Sequence, residues 1–254
     1  WFQNNCMKLN TDKYHLLMSG FKYENFWAKI GEDKTWEDSE VKLLGVTIDS
    51  SLKFDTHINN ICTKANQKLS VLSRMRNILN FQQRRIVFKS FIEIQFKYCP
   101  LIWMFCSRKA NNKINALHER ALRIVYEDDI LSFEDLLNKD NTFTIHQQNI
   151  QAAAIEMYKV YNKLSENSFD VFQSNGINSY NLRSRCDFEV PSVSTENHGK
   201  NSFRYFGPII WNSIPTRLRN IETLTEFKKE IRNWKMDNCP CRLCKTFVSN
   251  VGFI

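Results

Sequence analysis

The amino-acid sequence predicts an α+β fold that is mainly α: a small β-rich part comes first, and a helical region and a mixed C-terminal region follow. Only 7 Gly and 5 Pro occur in 254 residues, so few residues would interrupt helices. Side chains around residues 41–48 alternate between two faces, as in a half-buried strand. From Asp55 onward, apolar residues recur at helical spacing instead.

The β-rich part covers residues 14–48, where short apolar runs alternate with polar turns. It ends in "EVKLLGVTID", which we expect to form one half-buried strand. The first helix follows from Asp55. Its predicted buried face is made of Ile58, Ile61, Cys62, Ala65, Leu69 and Leu72.

Later helices are predicted from their N-terminal caps. Asn80 and Gln83 have the spacing of a capping box and open "FQQRRIVFKSFIEIQFKYCP", which is apolar nearly all round and should be largely buried. The same kind of signal opens two more helices, at Ser132 with Asp135 and at Thr144 with Gln147, and another helix is expected to start near Ser107.

The remaining sequence is less regular. Asn167 to Pro215 reads as polar and irregular, and a last helix is expected around Leu224 to Trp234. The expected segments are therefore 1–54, 55–130, 131–166, 167–216 and 217–254.

Positive charge is concentrated in one part of the chain. Residues 60–125 hold thirteen Lys and Arg against two acids, a net charge of +11, whereas the whole chain carries +8. Such a local excess is typical of a surface that binds a phosphate backbone, although a solvated helical surface remains the alternative.

Composition excludes several classes of protein. Eight cysteines in a chain of this length are too few for a disulfide scaffold, and no apolar run approaches a membrane span or a secretory signal. We therefore expect a reducing, intracellular location. Because the chain opens at Trp1 directly on structured-looking sequence, we expect it to be part of a longer polypeptide.

The stretch "RIVYEDDIL" contains Tyr126, Asp128 and Asp129, which look like the metal-binding signature of a polymerase. The predicted helices on both sides place these aspartates in a helix-to-helix connection. A two-metal site needs carboxylates held rigidly by strands, so we do not expect a metal site here.

Several longer stretches resemble one family. "WFQNNCMKLNTDKYHLLMSG", "VKLLGVTIDSSLKFDTHINNICTKANQKLSVLSRMR", "LHERALRIVYEDD", "NSFRYFGPIIWNSIP" and "CPCRLCKTFVSNVGFI" together look like the C-terminal portion of a jockey-like non-LTR retrotransposon reverse transcriptase. The resemblance implies that residues 1–54 end the palm, that 55–130 form a basic helical thumb, and that 131–166 extend it. It also implies that residues 167–216 form an irregular or β connection before a terminal helix and a Cys-bearing tail.

The resemblance also implies residue roles. Lys13 matches a palm lysine that acts as general acid toward the pyrophosphate leaving group, although it could equally be a surface lysine. Leu44, Gly45 and Val46 resemble the primer grip, and Gly45 would either admit a close backbone approach or mark a bulge. The catalytic aspartates, with their Mg²⁺, would precede Trp1.

The thumb would hold the RNA template and DNA primer through their phosphates. Its expected contacts are Lys64, Lys68, Arg74, Arg76, Arg84 and Arg85.

Near the C-terminus, Cys239, Cys241 and Cys244 form C-x-C-x-x-C, which supplies three ligands of the four that a structural Zn²⁺ site needs. Cys186 or His198 would have to supply the fourth, and incidental reduced cysteines are the alternative. We expect His57, His118 and His146 to be ordinary surface or core residues. Trp103, Trp211 and Trp234 are expected to pack in the core.

The resemblance therefore implies the C-terminal fragment of an RNA-directed DNA polymerase that holds the template–primer duplex and is inactive alone. A non-catalytic nucleic-acid-binding module and a decayed transposon copy remain alternatives. The implied partners are the RNA template, the DNA primer and the upstream part of the same polyprotein, with no membrane. The implied location is nuclear, cytoplasmic or both.

Overall fold

The structure, a computed structural model, describes residues 3–7, 10, 13–20, 26–30, 33–165, 172, 188–195, 198–241 and 243–244. Its fold is α+β and mainly α, as the sequence predicts. Contacts divide the chain into two units, Trp1–Asn60 and Ile61–Ile254. This division falls inside the first long helix, whereas the sequence places a boundary just before that helix.

Two antiparallel hairpins form the described β structure of the first unit. Strand β1 (Trp27–Ile30) pairs with β2 (Asp33–Trp36). Strand β3 (Glu40–Leu43) pairs with β4 (Val46–Asp49) in a register that places Leu43 opposite Val46.

The stretch "EVKLLGVTID" is therefore a hairpin, and the expectation of one continuous strand is wrong. Leu44 and Gly45 form its two-residue turn with φ values of 46° and 88°. Two positive φ angles match the twist of a tight hairpin, and glycine adopts such an angle without steric cost. Gly45 is thus explained by the turn, and Leu44 projects from it with 84% of its surface exposed.

Asp49 at the end of β4 organises the loop that leads to the first long helix. Its carboxylate accepts hydrogen bonds from the backbone N–H groups of Ser51, Lys53 and Phe54, at 3.1, 3.2 and 2.7 Å. Burial raises the pKa of Asp49, but these hydrogen bonds and one from the Ser51 hydroxyl outweigh it and hold the pKa below its usual value.

Helices build the second unit. Their bounds are α1 (Asp55–Met75), which begins in the first unit, α2 (Phe81–Val87), a π-helical segment (Phe88–Glu93), α3 (Ile94–Lys97), α4 (Pro100–Trp103), α5 (Arg108–Tyr126), α6 (Phe133–Lys139), α7 (Ile145–Tyr161), α8 (Phe203–Ser213), α9 (Thr216–Arg219) and α10 (Leu224–Ile231).

The predicted caps are confirmed. Asn80 and Gln83 form both halves of a capping box, with each hydrogen bond at 3.0 Å. The side chains of Ser107, Ser132 and Thr144 each accept a hydrogen bond from the backbone N–H three residues later. All six residues predicted for the buried face of α1 are buried.

The segment after Asn80 is less buried than the sequence predicts. Phe88, Ile92 and Phe96 are fully buried, but Ile86 and Phe91 remain 61% and 59% exposed. The helix there widens into π geometry and is covered on one side only, so the expectation of a largely buried helix is wrong.

Helix α7 forms the centre of the second unit's core. Ala153, Ala154 and Met157 are fully buried against α8 and α10. Tyr158 stacks on Phe227 with ring centroids 4.3 Å apart, and its hydroxyl donates to the Ile221 carbonyl at 2.8 Å.

Helix α8 contradicts the expectation that Asn167 to Pro215 is irregular throughout. Ser202 caps it, and it continues through Pro208 to Ser213. A Cβ on Gly207 would lie 2.7 Å from the sulfur of Met157, so this glycine allows α8 to approach α7 closely. The helix persists because packing on α7 compensates for the backbone hydrogen bond that proline lacks.

Trp103 and Trp211 are fully buried, and Trp234 packs against the core, as predicted. Among the residues described, no helix combines the length and the apolar character that crossing a membrane requires.

Candidate metal centre and nucleic-acid interface

The cysteines of the C-terminal tail converge on the beginning of α7. The sulfur of Cys241 lies 3.2 Å from Nε2 of His146, and that of Cys239 lies 4.0 Å from the same atom. With Cys244 they form a group whose ligand atoms all lie within 4.8 Å of one another. Only Cys244 is partly exposed.

Two side-chain amides hold the returning chain in place. Gln151 on α7 donates to the backbone carbonyls of Arg232 and Trp234, at 3.1 and 2.9 Å. Gln147 also reaches the Trp234 carbonyl, at 3.4 Å. These bonds tie the chain that leaves α10 to the first turns of α7, so the tail beyond it meets His146.

The four side chains are strongly coupled. Hydrogen bonds from Cys239 and Cys244 lower the pKa of Cys241 well below the usual value. The pKa of Cys239 is raised, mainly because Cys239 hydrogen-bonds to Cys241. Burial works against a charged His146, but its contacts with Cys241 and Cys244 outweigh burial and raise the imidazole pKa to about 9. Metal ligation requires thiolates and a neutral imidazole, so binding of a cation by this group would release protons.

The geometry is close to what a tetrahedral ion requires. Zinc–sulfur distances of about 2.3 Å and zinc–nitrogen distances of about 2.0 Å place tetrahedral ligand atoms about 3.5 to 3.8 Å apart. The 3.2 Å between Cys241 and His146 is slightly shorter than that range, and all four ligand atoms lie within 4.8 Å of one another, so small side-chain adjustments would be needed to reach tetrahedral spacing. Nδ1 of His146 is buried without a hydrogen-bond partner among the described residues.

The expectation for the fourth ligand is corrected. His198 is exposed and lies outside the group, Cys186 lies outside the described residues, and His146 is the candidate that the structure places beside the three cysteines. The interpretation of His146 as an ordinary surface or core residue did not anticipate this grouping with the cysteines. It precedes Cys239 by 93 residues, and no spacing motif in the sequence connects them.

The predicted nucleic-acid contacts separate into exposed and internal residues. Lys64, Arg74 and Arg76 are exposed. Lys68 is half-buried and donates to the carbonyl of Phe91 at 2.9 Å.

Arg84 is a correction, because its guanidinium lies in the interior. Only 6% of the residue is exposed. It donates to the carbonyls of Val125, Arg76 and Leu79, at 3.2, 2.9 and 2.8 Å, and it pairs with Glu127 at 3.0 Å. These bonds satisfy carbonyls at the end of α5 and in the connection between α1 and α2, so the side chain is not available to a phosphate.

Arg85 is also engaged internally. It pairs with the buried carboxylate of Asp140 at 2.8 Å, and Lys89 contacts the same carboxylate at 2.7 Å. Burial raises the pKa of Asp140, but the hydrogen bonds from Lys89 and Arg85 outweigh it and lower that pKa overall.

Helix α5 adds cations that the sequence-based set omits. Lys109, Lys113 and Arg120 are exposed and lie on one side of the helix. Arg120 donates to the Asn66 side chain of α1 at 2.7 Å. Burial raises the pKa of the Cys62 thiol on α1 to about 11, and the nearby charge of Lys113 opposes this shift. The exposed cations Lys109, Lys113 and Arg120 therefore share one side of α5, which we call the basic face.

The residues expected to act near the polymerase chemistry lie in the first unit. Lys13 is exposed, and its backbone N–H donates to the Asn10 carbonyl at 3.2 Å. Leu44 and Gly45 form the β3–β4 turn, and Val46 is buried at the start of β4.

Asp128 and Asp129 lie between α5 and α6, in the helix-to-helix connection that the sequence predicts. The Asp128 carboxylate accepts from the backbone N–H groups of Leu131 and Ile130 and from Lys139. The hydrogen bond from Leu131 is the main cause of its lowered pKa. Its oxygens therefore support the local backbone.

Comparison of the chain with protein-family models, with curated proteins and with solved structures found no match. Function is inferred from the residues and their geometry.

Proposed function

We propose that this chain is the duplex-holding C-terminal part of an RNA-directed DNA polymerase of the non-LTR retrotransposon type. Its basic face contacts the phosphates of the template–primer duplex. The observation that carries this proposal is the row of exposed cations on α5. The class of enzyme in this proposal is inferred from the sequence resemblance alone.

The length of the cation row on α5 can be compared with the spacing of phosphates along a duplex. Lys109 and Arg120 are separated by eleven residues, which is about 16 Å along a helix at about 1.5 Å per residue. Successive phosphates of one strand of a duplex lie about 3.4 Å apart along its axis. The row therefore spans roughly five phosphates, enough for several contacts without base readout.

Acidic side chains do not cancel this charge. The two acids within residues 60–125 are both used internally. Glu93 is buried and pairs with Lys97 at 2.7 Å, and Glu119 pairs with Arg123 at 2.7 Å. Neither of these two acids forms its ion pair with Lys109, Lys113 or Arg120.

The test is the salt dependence of binding to a fluorescent RNA–DNA hybrid, followed by anisotropy between about 50 and 200 mM salt. The perturbation is a triple variant, Lys109→Ala with Lys113→Ala and Arg120→Ala. Each lost phosphate contact lowers the slope of log K against log salt by about 0.9, so we expect a decrease of about 2.7.

The matched control removes three exposed cations elsewhere, through Lys228→Ala, Lys229→Ala and Lys235→Ala. It lowers the net charge equally but leaves the basic face intact, so its slope should stay near that of the unaltered chain. Equal losses in both triple variants would show that only net charge matters.

We further propose that the group of His146, Cys239, Cys241 and Cys244 binds Zn²⁺. Three thiols and an imidazole are a ligand set of structural zinc sites, and their burial suits an ion without an open position. The ion would lock the tail onto α7 and so stabilise the second unit, since binding energy at such a site is folding energy.

Metal content after purification with and without a chelator tests this assignment, together with the thiolate-to-metal absorption of a Co²⁺-substituted sample. His146→Ala should lose the metal, whereas His198→Ala should keep one equivalent because His198 is exposed and outside the group. Retention of stoichiometric metal in His146→Ala would refute the ligand assignment.

In the complete polymerase, Mg²⁺ would be held by aspartates that this chain lacks. Lys13 would act as a general acid toward pyrophosphate, and the turn at Leu44 and Gly45 would approach the primer backbone. Both roles rest on the sequence resemblance.

A further inference from the structure

A cleft of about 500 Å³ opens in the second unit, between the π-helical segment, α7 and the end of α10. Its charged lining residues are Lys89, Lys97, Arg232 and Glu93, a net charge of +2. Asp140 lies behind Lys89 and also pairs with Arg85, so the negative charge of Asp140 and the positive charge of Arg85 offset each other. The cleft therefore favours an anion, and its volume is in the range of small-molecule sites.

Glu93 adds a buried hydrogen-bond acceptor to the cleft. The residue is 1% exposed, and its carboxylate oxygen Oε2 pairs with Lys97 at 2.7 Å. Oε1 lies 3.7 Å from the Lys89 ammonium and receives no hydrogen bond from any described residue. A buried carboxylate oxygen without a donor is costly, so a ligand with a hydroxyl or amino group would satisfy it.

Part of the cleft lining, which we call the apolar wall, consists of apolar side chains with a held backbone. Phe143, Ile155 and Ile231 line it, and the Phe143 carbonyl accepts from the side chain of Gln148 at 2.9 Å. Gln151 anchors the backbone at Arg232 with its 3.1 Å hydrogen bond. Apolar side chains and cations in the same cleft suit a flat ring joined to an anionic group.

We propose that this cleft binds a nucleotide 5′-phosphate. Arg232 and Lys97 contact the phosphate, Glu93 Oε1 accepts from a sugar hydroxyl or base amino group, and the ring lies on the apolar wall. Arg232 is exposed and has no ion pair with another described residue, so it can turn toward a phosphate. The site is independent of the basic face, since the two share no residue.

The first test is calorimetric titration of the full chain with adenosine 5′-monophosphate, with adenosine and inorganic phosphate as comparison ligands. Arg232→Ala should weaken binding of the monophosphate about tenfold, the loss expected for one charge-assisted contact. Lys228→Ala, which removes an exposed cation one turn earlier on α10, should leave the affinity unchanged.

Glu93→Gln tests the donor requirement. It keeps the size of the side chain but removes its charge, so binding of inorganic phosphate should strengthen while the preference for the monophosphate over phosphate falls about tenfold. Thermal unfolding of each variant establishes that it is folded. Because Arg232 is exposed, its variant keeps the proposal testable even if Glu93→Gln unfolds.

A 5′-phosphorylated oligonucleotide distinguishes the two sources of the ligand. Tighter binding of the oligonucleotide, lost with Arg232→Ala, assigns the cleft to a strand end, and tighter binding of the monophosphate assigns it to a free nucleotide. Monophosphate binding no tighter than that of phosphate, or equal losses in Arg232→Ala and Lys228→Ala, would overturn the proposal. Salt-dependent binding of the RNA–DNA hybrid should be unchanged in Arg232→Ala. A negative result for the cleft can therefore be distinguished from a negative result for the basic face.

Discussion

Acid should destabilise the second unit through His118, which is buried without a hydrogen-bond partner for either ring nitrogen among the described residues. Its ring stacks on Phe88, with centroids 5.9 Å apart, and meets the edge of Phe133 at 5.6 Å. Burial lowers its pKa from 6.5 to about 4. The carboxylates of Glu93 and Asp140 oppose this shift, whereas the nearby lysines support it.

The sign follows from proton binding. Between pH 6.5 and 4 the unfolded chain binds a proton at His118 and the folded chain does not, so the free energy of unfolding falls as the pH falls through this window. Above it neither state binds the proton, and below it both do. At about 1.4 kcal/mol per pH unit, the loss between pH 7.5 and 4.5 is about 2.5 kcal/mol.

Urea denaturation at these two pH values measures the effect. His118→Leu should remove this part of the pH dependence, and at pH 7.5 it should be at least as stable as the unaltered chain because two buried nitrogens without partners are gone. His198→Ala, which removes an exposed histidine, is the control and should retain the full loss. The reasoning fails if His118→Leu loses as much unfolding free energy on acidification as the unaltered chain does.

Three further outcomes are expected. Arg84→Ala should lower the unfolding free energy by about 3 kcal/mol in urea denaturation, since it leaves three carbonyls without this donor. Arg84→Lys should restore little, because an ammonium lacks the fork that reaches three carbonyls. In a full-length active parent, Asp128→Asn with Asp129→Asn should leave primer extension nearly intact. A loss as large as that from removing a metal ligand would show that these two aspartates belong to the polymerase metal site. The isolated chain should synthesise no DNA with Mg²⁺ or Mn²⁺; with a palm segment supplied, Lys13→Ala should lower turnover more than primer affinity.

The sequence by itself determined most of the helices. Apolar residues at a period of about 3.6 define the buried face of α1, and local caps define where later helices begin. These signals are short-range, because a cap bonds to a backbone group three residues away. Sequence reasoning failed where packing overrides local preference, as in α8, where contact with α7 preserves a helix through Pro208.

The sites depended on contacts between distant parts of the chain. Cys239, Cys241 and Cys244 are adjacent in sequence and so predicted three ligands of a metal centre, but His146 joins them only because α7 and the tail pack together. Likewise, charge counting found the basic segment, yet only tertiary contacts decide that Arg84 bonds to carbonyls while Arg120 stays on the surface. Sequence patterns record which side chains are present and which local structure they favour. The partner that a buried charge or ligand atom meets is set by the folded chain, which must satisfy each polar group that it removes from water.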